Sequence, residues 1–164
     1  MMKRNLFLAL GVAAMFSWTG LAFTSPAHKP SHEKNAFTSD GIPWGPAPSL
    51  VRPGAQFAVL EGDPTASTGD FTVRLKMPDG FHIAPHWHPN RENVTVISGT
   101  LKVGMGDQFD SNKMNAFSAG SFAFLDPDMH HYVMASGETV VQVHGQSPMQ
   151  FNYVHPEDDP SKTK

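Results

Sequence analysis

The chain of 164 residues contains no cysteine. No disulfide can therefore hold the fold together in an oxidising compartment, and lipoprotein attachment, which needs a cysteine, is excluded. The stability of the folded chain must come from an apolar core and, where one is bound, from a metal ion. Hydrophobic residues make up 40% of the chain, and its length is sufficient for such a core.

Positive charge is also scarce. The chain has 12 Lys and Arg against 15 Asp and Glu, and two of the basic residues, Lys3 and Arg4, lie in a segment that we expect to be removed. The remainder then has 10 basic against 15 acidic residues and a net charge of −5. Nucleic acids and anionic membrane surfaces attract basic faces, so neither is expected as a partner.

Long hydrophobic runs are absent except at the N-terminus. There, Leu6–Phe16 follows Lys3 and Arg4 and precedes the small-residue end Gly20–Ala22. This order is typical of a secretory signal peptide, which predicts cleavage after residue 22 and a periplasmic or secreted protein. The alternative is an uncleaved anchor, but an apolar run of about eleven residues is short for a span of roughly twenty. No stable membrane anchor is expected after cleavage.

No stretch shows a helical period. Residues 23–41 are rich in Pro, Ser, Lys and His and predict a flexible linker, and residues 156–164 predict a solvated polar tail. Between them, residues 42–155 contain short strands separated by Gly, Pro, Asp and Asn. The predicted strands are Gln56–Leu60, Phe71–Met77, Ile83–His88, Asn93–Ser98, Leu101–Met105, Ser121–Leu125, His131–Ala135, Thr139–His144 and Gln150–Val154. Eight or nine short strands indicate an all-β sandwich or barrel that forms a single domain.

Alternation within one predicted strand separates its two faces. In Phe71–Met77, the apolar residues share one side, which we expect to face the core, and Arg74 lies on the other. We expect Arg74 to be solvated, although an inward Arg74 that holds an anionic ligand is the alternative. The phenylalanines Phe109, Phe117, Phe122 and Phe124 are expected to be packing residues.

One stretch of this β domain contains a candidate metal site. Residues two apart on a strand point to the same face, so His86 and His88 present their imidazoles side by side. The Pro-Asn pair that follows favours a turn that brings Glu92 back toward them, which predicts a β-hairpin within Gly80–Gly99. Two imidazole nitrogens and one carboxylate oxygen suit a divalent first-row transition metal and leave positions open for water or substrate.

The spacing G-x5-H-x-H-x3-E-x6-G from Gly80 to Gly99 resembles the first sequence motif of the cupin superfamily at every defined position. The resemblance implies that His86, His88 and Glu92 are metal ligands and that the two glycines lie at turns that frame the strands. It also implies a jelly-roll fold, in agreement with the strand pattern, and a homodimer.

A second stretch, GSFAFLDPDMHHYVMA, resembles the second cupin motif in part. Gly120 and His131 fall in register, whereas three other motif positions hold Asp or Ala in place of Pro, Gly and Asn. The resemblance implies a fourth ligand here. Strand parity favours His131, which points inward if Val133 does, while His130 then points outward beside Tyr132. His130 is the alternative ligand, or a residue close to the site.

Further candidates for a pocket lie near the C-terminus: Gln142, His144, Phe151 and Tyr153. The ligand set implies one divalent ion, and manganese, iron, nickel, zinc, cobalt and copper all suit it. Such an ion binds anionic ligands and lowers the pKa of bound water.

These features predict a small metal-dependent enzyme, an oxygenase, isomerase or lyase, with a small organic acid or phenolic compound as its substrate. The alternative is a non-catalytic module that binds a metal or a small ligand. A pocket with a positioned acid or base favours the enzyme, and a pocket closed by phenylalanines favours the module.

Overall fold

Nine antiparallel strands make up most of the regular structure in the computed structural model, which describes residues 35–162. They are β1 (Gly45–Pro46), β2 (Gln56–Glu61), β3 (Asp70–Met77), β4 (His82–Trp87), β5 (Glu92–Met105), β6 (Asn115–Ser118), β7 (Phe122–Leu125), β8 (His131–Gln146) and β9 (Asn152–Tyr153). The helical segments in this part of the chain are two single 3-10 turns, Ser111–Lys113 and Pro156–Asp158. The predicted all-β class is confirmed.

Both ends of the chain extend beyond the described residues. The predicted signal peptide, residues 1–22, lies outside them, as do residues 23–34 of the predicted linker and residues 163–164 of the predicted tail. Residues 35–41 are exposed and contain no strand, and burial begins at Ile42. Within residues 35–162, no helix is long and apolar enough to span a membrane.

The two longest strands, β5 and β8, pair with each other along nearly their whole length and organise the sheet. On its other edge, β8 pairs with β4 through its first half and with β3 through its second half. β5 likewise pairs with β7 and then with β6. Two sets of strands result, β1-β2-β3-β8-β5-β7 and β9-β4-β8-β5-β6, which share β5 and β8. This is a jelly-roll sandwich, and its sheet is not closed into a continuous barrel.

The shared strands pass from one set to the other at glycines. Gly99 in β5 and Gly137 in β8 have φ values of 75° and 71°, and the pairing register shifts on both sides of Ser98. The sequence predicts a break between two strands at each position. The structure instead has one bent strand at each, because the ladder continues past the irregularity. A Cβ at residue 99 would lie 2.3 Å from the carbonyl oxygen of Glu138, so this bend requires glycine.

The β-hairpin predicted within Gly80–Gly99 does not form. β4 pairs with β8 and β9, whereas the first half of β5 pairs with β7 and β8, so β4 and this half of β5 lie in different sets. The turn between them crosses the sandwich instead of reversing within one sheet. Pro89 in this turn has no N–H to donate to a ladder.

The apolar core lies between the two sets of strands. Buried apolar residues from β3, β4, β5 and β8 form most of it, with contributions from the segments that precede them: Val51, Ala55, Met77, Phe81, Ile83, Val94, Val96, Leu101, Ala135 and Val141. The alternation predicted for β3 is confirmed, because Val73 and Met77 are buried while Arg74 lies on the outer face.

Candidate metal centre

Three histidines meet at one end of the core. His86 lies near the end of β4, His88 follows in the turn, and His131 begins β8, where it pairs directly with His86. Their exposed fractions are 2%, 8% and 1%, and one ring nitrogen from each lies within 4.8 Å of the other two. The structure therefore brings together three of the four residues predicted as ligands in one buried group able to hold a metal ion.

A main-chain carbonyl orients each imidazole. Nδ1 donates a hydrogen bond in every case: His86 to Ala84 (2.8 Å), His88 to Gln150 (2.5 Å) and His131 to Met129 (3.0 Å). A carbonyl oxygen can only accept, so the Nδ1 atoms carry protons. Nε2 of a neutral imidazole then presents a lone pair, which is the arrangement found in metal-binding histidines.

Glu92, the fourth predicted ligand, lies beside this group. Its Oε2 is 3.6 Å from Nε2 of His88 and 3.5 Å from Nε2 of His131. Nε2 of His88 is buried and has no hydrogen-bond partner. Lone pairs on two nitrogens and an oxygen therefore face one another, and such an arrangement is unfavourable unless a cation or a proton lies between them.

The protonation states match those that a metal requires. Burial lowers the pKa of the His86 imidazole well below its ordinary value, and the neighbouring imidazoles lower it further. Burial alone would raise the pKa of Glu92, but its interactions with His131, His88 and His86 outweigh burial and lower the pKa to about 2. At neutral pH, His86 is therefore a neutral donor and Glu92 an ionised one.

The distances also fit a divalent transition metal. Donor atoms about 2.1 Å from a shared ion in a tetrahedral arrangement lie about 3.4 Å apart. The observed separations of Glu92 from His88 and His131, 3.6 and 3.5 Å, are close to this value. The three histidines, with Glu92 close to two of them, thus form a donor set that suits such an ion.

A cavity of about 280 Å³ adjoins the histidines and lies between the two sets of strands. His86, Glu92 and His131 line one part of it, and nearly all its other lining residues are apolar. Ser121 is the one further polar residue among the described residues that line it. Phe117, predicted to be a packing residue, is also part of the wall. Phe122 and Phe124, given the same prediction, pair with Thr95 and Asn93 on the outer face and are about half exposed. Alternation on a short strand identifies an inward residue, but it does not distinguish a filled core from a cavity.

His130 lies on the opposite face of β8 from the three clustered histidines. Its Nδ1 is 2.6 Å from Oδ1 of Asp107, and its ring faces that of Trp87. Tyr132 points the same way, as predicted from parity. It is nevertheless only 1% exposed, because Phe109 packs on its ring.

Gln142 and His144 lie outside the cavity, which corrects the expectation that they line a pocket. Gln142 accepts a hydrogen bond from Arg74 at 3.1 Å on the outer face of the sheet. His144 borders a separate surface pocket. Val141 and Val143 occupy the inward positions of this half of β8, so the two polar residues between and beyond them must point outward.

Phe151 and Tyr153 lie next to the histidines. The Phe151 ring stacks on His86 at 4.9 Å and meets His88 edge-on at 4.7 Å. The Tyr153 ring lies 6.0 Å from His86, and its hydroxyl donates to the carbonyl of Leu50 at 2.7 Å. Burial, with a smaller contribution from nearby acidic residues, raises the pKa of Tyr153, so its phenol stays protonated.

Comparisons with known proteins agree with this fold. A cupin 2 conserved barrel domain protein from Rhodopseudomonas palustris is 15% identical with a TM-score of 0.56, over 75% of this chain and 87% of that chain. Polyketide cyclase RemF from Streptomyces resistomycificus is 14% identical with a TM-score of 0.53, over 66% and 76%. KdgF from Halomonas sp. is 20% identical with a TM-score of 0.50, over 66% and 92%. At these identities, the likeness concerns the fold alone.

The sequence comparisons identify the family. No curated protein sequence matches the chain. Residues 32–150, most of the chain, match the family model of the ChrR cupin-like domain. The resemblance to cupins inferred from the two motifs is therefore confirmed, and the chain belongs to the cupin superfamily, in the family of ChrR cupin-like domains.

Proposed function

We propose that the protein binds one divalent transition-metal ion through His86, His88, His131 and Glu92 and that the ion binds a small molecule in the adjoining cavity. The convergence of buried lone pairs supports this proposal best, above all the unpartnered Nε2 of His88. A bound ion would attract anionic ligands and lower the pKa of coordinated water. The chain itself fixes the imidazoles through main-chain carbonyls, offsets the charge of the ion with Glu92, and excludes water with apolar walls.

Elemental analysis tests metal binding directly. The protein is purified without chelators or affinity metals and compared with the double variant His86→Ala/His88→Ala. We expect about one metal ion per chain in the parent and none in the variant. His130→Ala is the matched control, because it removes the neighbouring imidazole on the opposite face of β8 and should keep the metal. Absence of metal from the parent after exposure to manganese, iron, nickel and zinc salts would exclude the proposal.

We further propose a catalytic role, as an oxygenase, isomerase or lyase with a small organic acid or phenolic substrate. The support is that His86, Glu92 and His131 line the cavity, so a molecule inside it reaches the metal centre. The alternative is a non-catalytic module that holds a metal or small ligand. It is favoured by the cavity wall, where no described acid or base other than these three is found.

Turnover distinguishes the two functions. The metal-loaded protein is incubated with catechol and with small organic acids in air, and products and oxygen uptake are followed. Conversion of many equivalents per chain, lost in His131→Ala but kept in His130→Ala, indicates an enzyme. Saturable binding without conversion indicates a binding module.

The proposed location is periplasmic or secreted, with removal of residues 1–22 on export. Cell fractionation of the full chain and of a chain that lacks residues 2–22 tests this. We expect only the full chain to leave the cytoplasm, with an N-terminus near Phe23 in the mature product. A full chain retained in the cytoplasm would exclude export.

The proposed assembly is a homodimer. Outer strands such as β1 and β7 have one unpaired edge within the described sheet, and a partner copy can cover such an edge. Sedimentation analysis of the mature protein tests the assembly, and a monomer at micromolar concentration would contradict it.

A further inference from the structure

We infer that the ligand of this centre has an apolar body of one or two rings and a single anionic head. The inference rests on the proposed metal binding, because the head would coordinate the ion. The body would fill the cavity between the two sets of strands. Three features of the cavity carry the inference: its charges, its size and its mouth.

The cavity wall offers a counter-charge for only one anionic group of the ligand, at the bound ion. No Lys or Arg lines the cavity among the described residues, and its ionisable side chains are the three at the metal centre. A second anionic group, placed away from the ion, would be buried without a counterion, which is costly. The nearby guanidinium of Arg91 does not line the cavity and is paired with Asp126 at 2.5 Å.

The size of the cavity sets an upper limit on the body. Its volume is about 280 Å³. Pockets for drug-sized ligands span about 300–1,000 Å³, so this one suits a molecule at the small end of that range. The wall is formed by aliphatic and aromatic side chains, and burial against them favours an apolar body over a hydrophilic one. Small hydrophilic acids, which the sequence alone leaves open, would gain little from this wall.

The mouth of the cavity is apolar as well. Two of its lining residues are large, hydrophobic and partly exposed: Met105 (49%) and Met129 (39%). Exposed apolar side chains that cluster at an opening are typical of a ligand-binding site. Methionine side chains adapt readily to different ligand shapes. The two methionines therefore present an apolar surface where the cavity wall meets solvent.

A set of matched probes tests the ligand class on the zinc-loaded protein by calorimetry. 2-Naphthoate has the body and one anionic head. 2-Naphthylmethanol lacks the anionic head, succinate lacks the apolar body, and 2,6-naphthalenedicarboxylate carries a second anionic head at the far end. We expect 2-naphthoate to bind at least about tenfold more tightly than each of the other three.

Two variants of β5 test whether the probe occupies this cavity. Val103→Phe places a ring into the cavity and should weaken 2-naphthoate binding about tenfold while the zinc content stays at that of the parent. Lys102→Phe introduces the same ring at the adjacent position, which does not line the cavity, and should leave binding unchanged. Val133→Phe replaces Val103→Phe if the latter does not fold, as judged by circular dichroism.

The outcomes separate the two proposals. If the parent binds zinc but binds succinate or the dicarboxylate as tightly as 2-naphthoate, the proposed ligand class is wrong. The proposed metal binding then still stands. Binding of 2-naphthoate that is equal in the parent and in a folded cavity variant would also overturn the ligand class. If the parent binds no zinc, the proposed function is wrong, and so is the inference that an anionic head of the ligand coordinates the ion.

Discussion

Adjacent side chains in this protein have opposite surroundings because strand residues alternate between faces. His131 is 1% exposed and belongs to the histidine cluster, whereas Nδ1 of His130 donates a hydrogen bond to Asp107 on the opposite face. Both residues are histidines, so residue type does not distinguish them. The alternation of side chains along the strand does. At the residue scale, His131 therefore has a matched control one residue away.

Phe151 is expected to support the metal centre without binding the ion. Its ring stacks on His86 and meets His88 edge-on, so Phe151→Ala removes packing from two ligands while their Nδ1 hydrogen bonds remain. We expect the metal dissociation constant to rise about tenfold, the lower end of effects seen for residues that support ligands. Competition with a chromophoric chelator measures it.

The control for this prediction is Phe109→Ala. Phe109 packs on His82 and Tyr132, away from the metal centre, so this variant should bind metal like the parent. An unchanged dissociation constant in Phe151→Ala would show that the main-chain carbonyls fix the imidazoles without help from the ring.

Gly104 is expected to be intolerant of substitution for a steric reason. A Cβ at this position of β5 would lie 2.2 Å from ring atoms of Tyr132, which is buried and held by Phe109. Gly104→Ala should therefore lower the free energy of unfolding by about 1–3 kcal/mol, measured by urea denaturation. Gly45→Ala, where the nearest atom would be 3.9 Å away, should change it by less than about 0.5 kcal/mol. Equal stability of the two variants would contradict this prediction.

At the scale of the elements, the sequence predicts where strands occur better than how they connect. Most strands were placed correctly, but β1 and β6 were not predicted. Gly99 and Gly137 were interpreted as breaks between strands, whereas each is a bend within one strand. Glycine permits both outcomes. The strand that pairs across the ladder decides between them. That strand lies far away in the sequence, so the local sequence does not reveal it.

Thr139 is expected to stabilise the region where β5 bends at Gly99 and β8 bends at Gly137. It is fully buried, and its Oγ1 donates to the carbonyl of Thr100 at 3.0 Å and accepts from the N–H of Thr100 at 3.2 Å. Thr139→Val keeps the shape but leaves these buried groups without their partner. We expect a loss of about 1–3 kcal/mol in the free energy of unfolding.

The matched control for Thr139 is Thr95→Val, which makes the same chemical change on the outer face of β5, between the inward residues Val94 and Val96. It should shift the free energy of unfolding by less than about 0.5 kcal/mol. If Thr139→Val proves as stable as Thr95→Val, the bend does not depend on the hydroxyl.

At the scale of the whole molecule, the motifs predicted the cluster of histidines beside Glu92 but not the cavity next to it. The residues of the centre lie in two short stretches with characteristic spacing. The cavity wall is assembled from residues on β3, β4, β5, β6, β7 and β8 that are far apart in sequence. An inward apolar residue looks the same in the sequence whether its neighbours fill the core or leave a void. Only the tertiary arrangement shows that this core is hollow next to the histidines.

Metal binding is expected to raise the stability of the whole fold, because the three histidines and Glu92 come from separate segments that converge only in the folded chain. A metal concentration about 100-fold above the dissociation constant adds about 2.7 kcal/mol to the folded state. For a domain of this size, the melting temperature should rise by about 10 °C and return to its starting value with excess chelator. The variant His86→Ala/His131→Ala should show no shift, and His130→Ala should show the full one. A similar rise in the double variant would mean that the ion acts elsewhere on the surface, since the imidazoles that the shift requires would be absent.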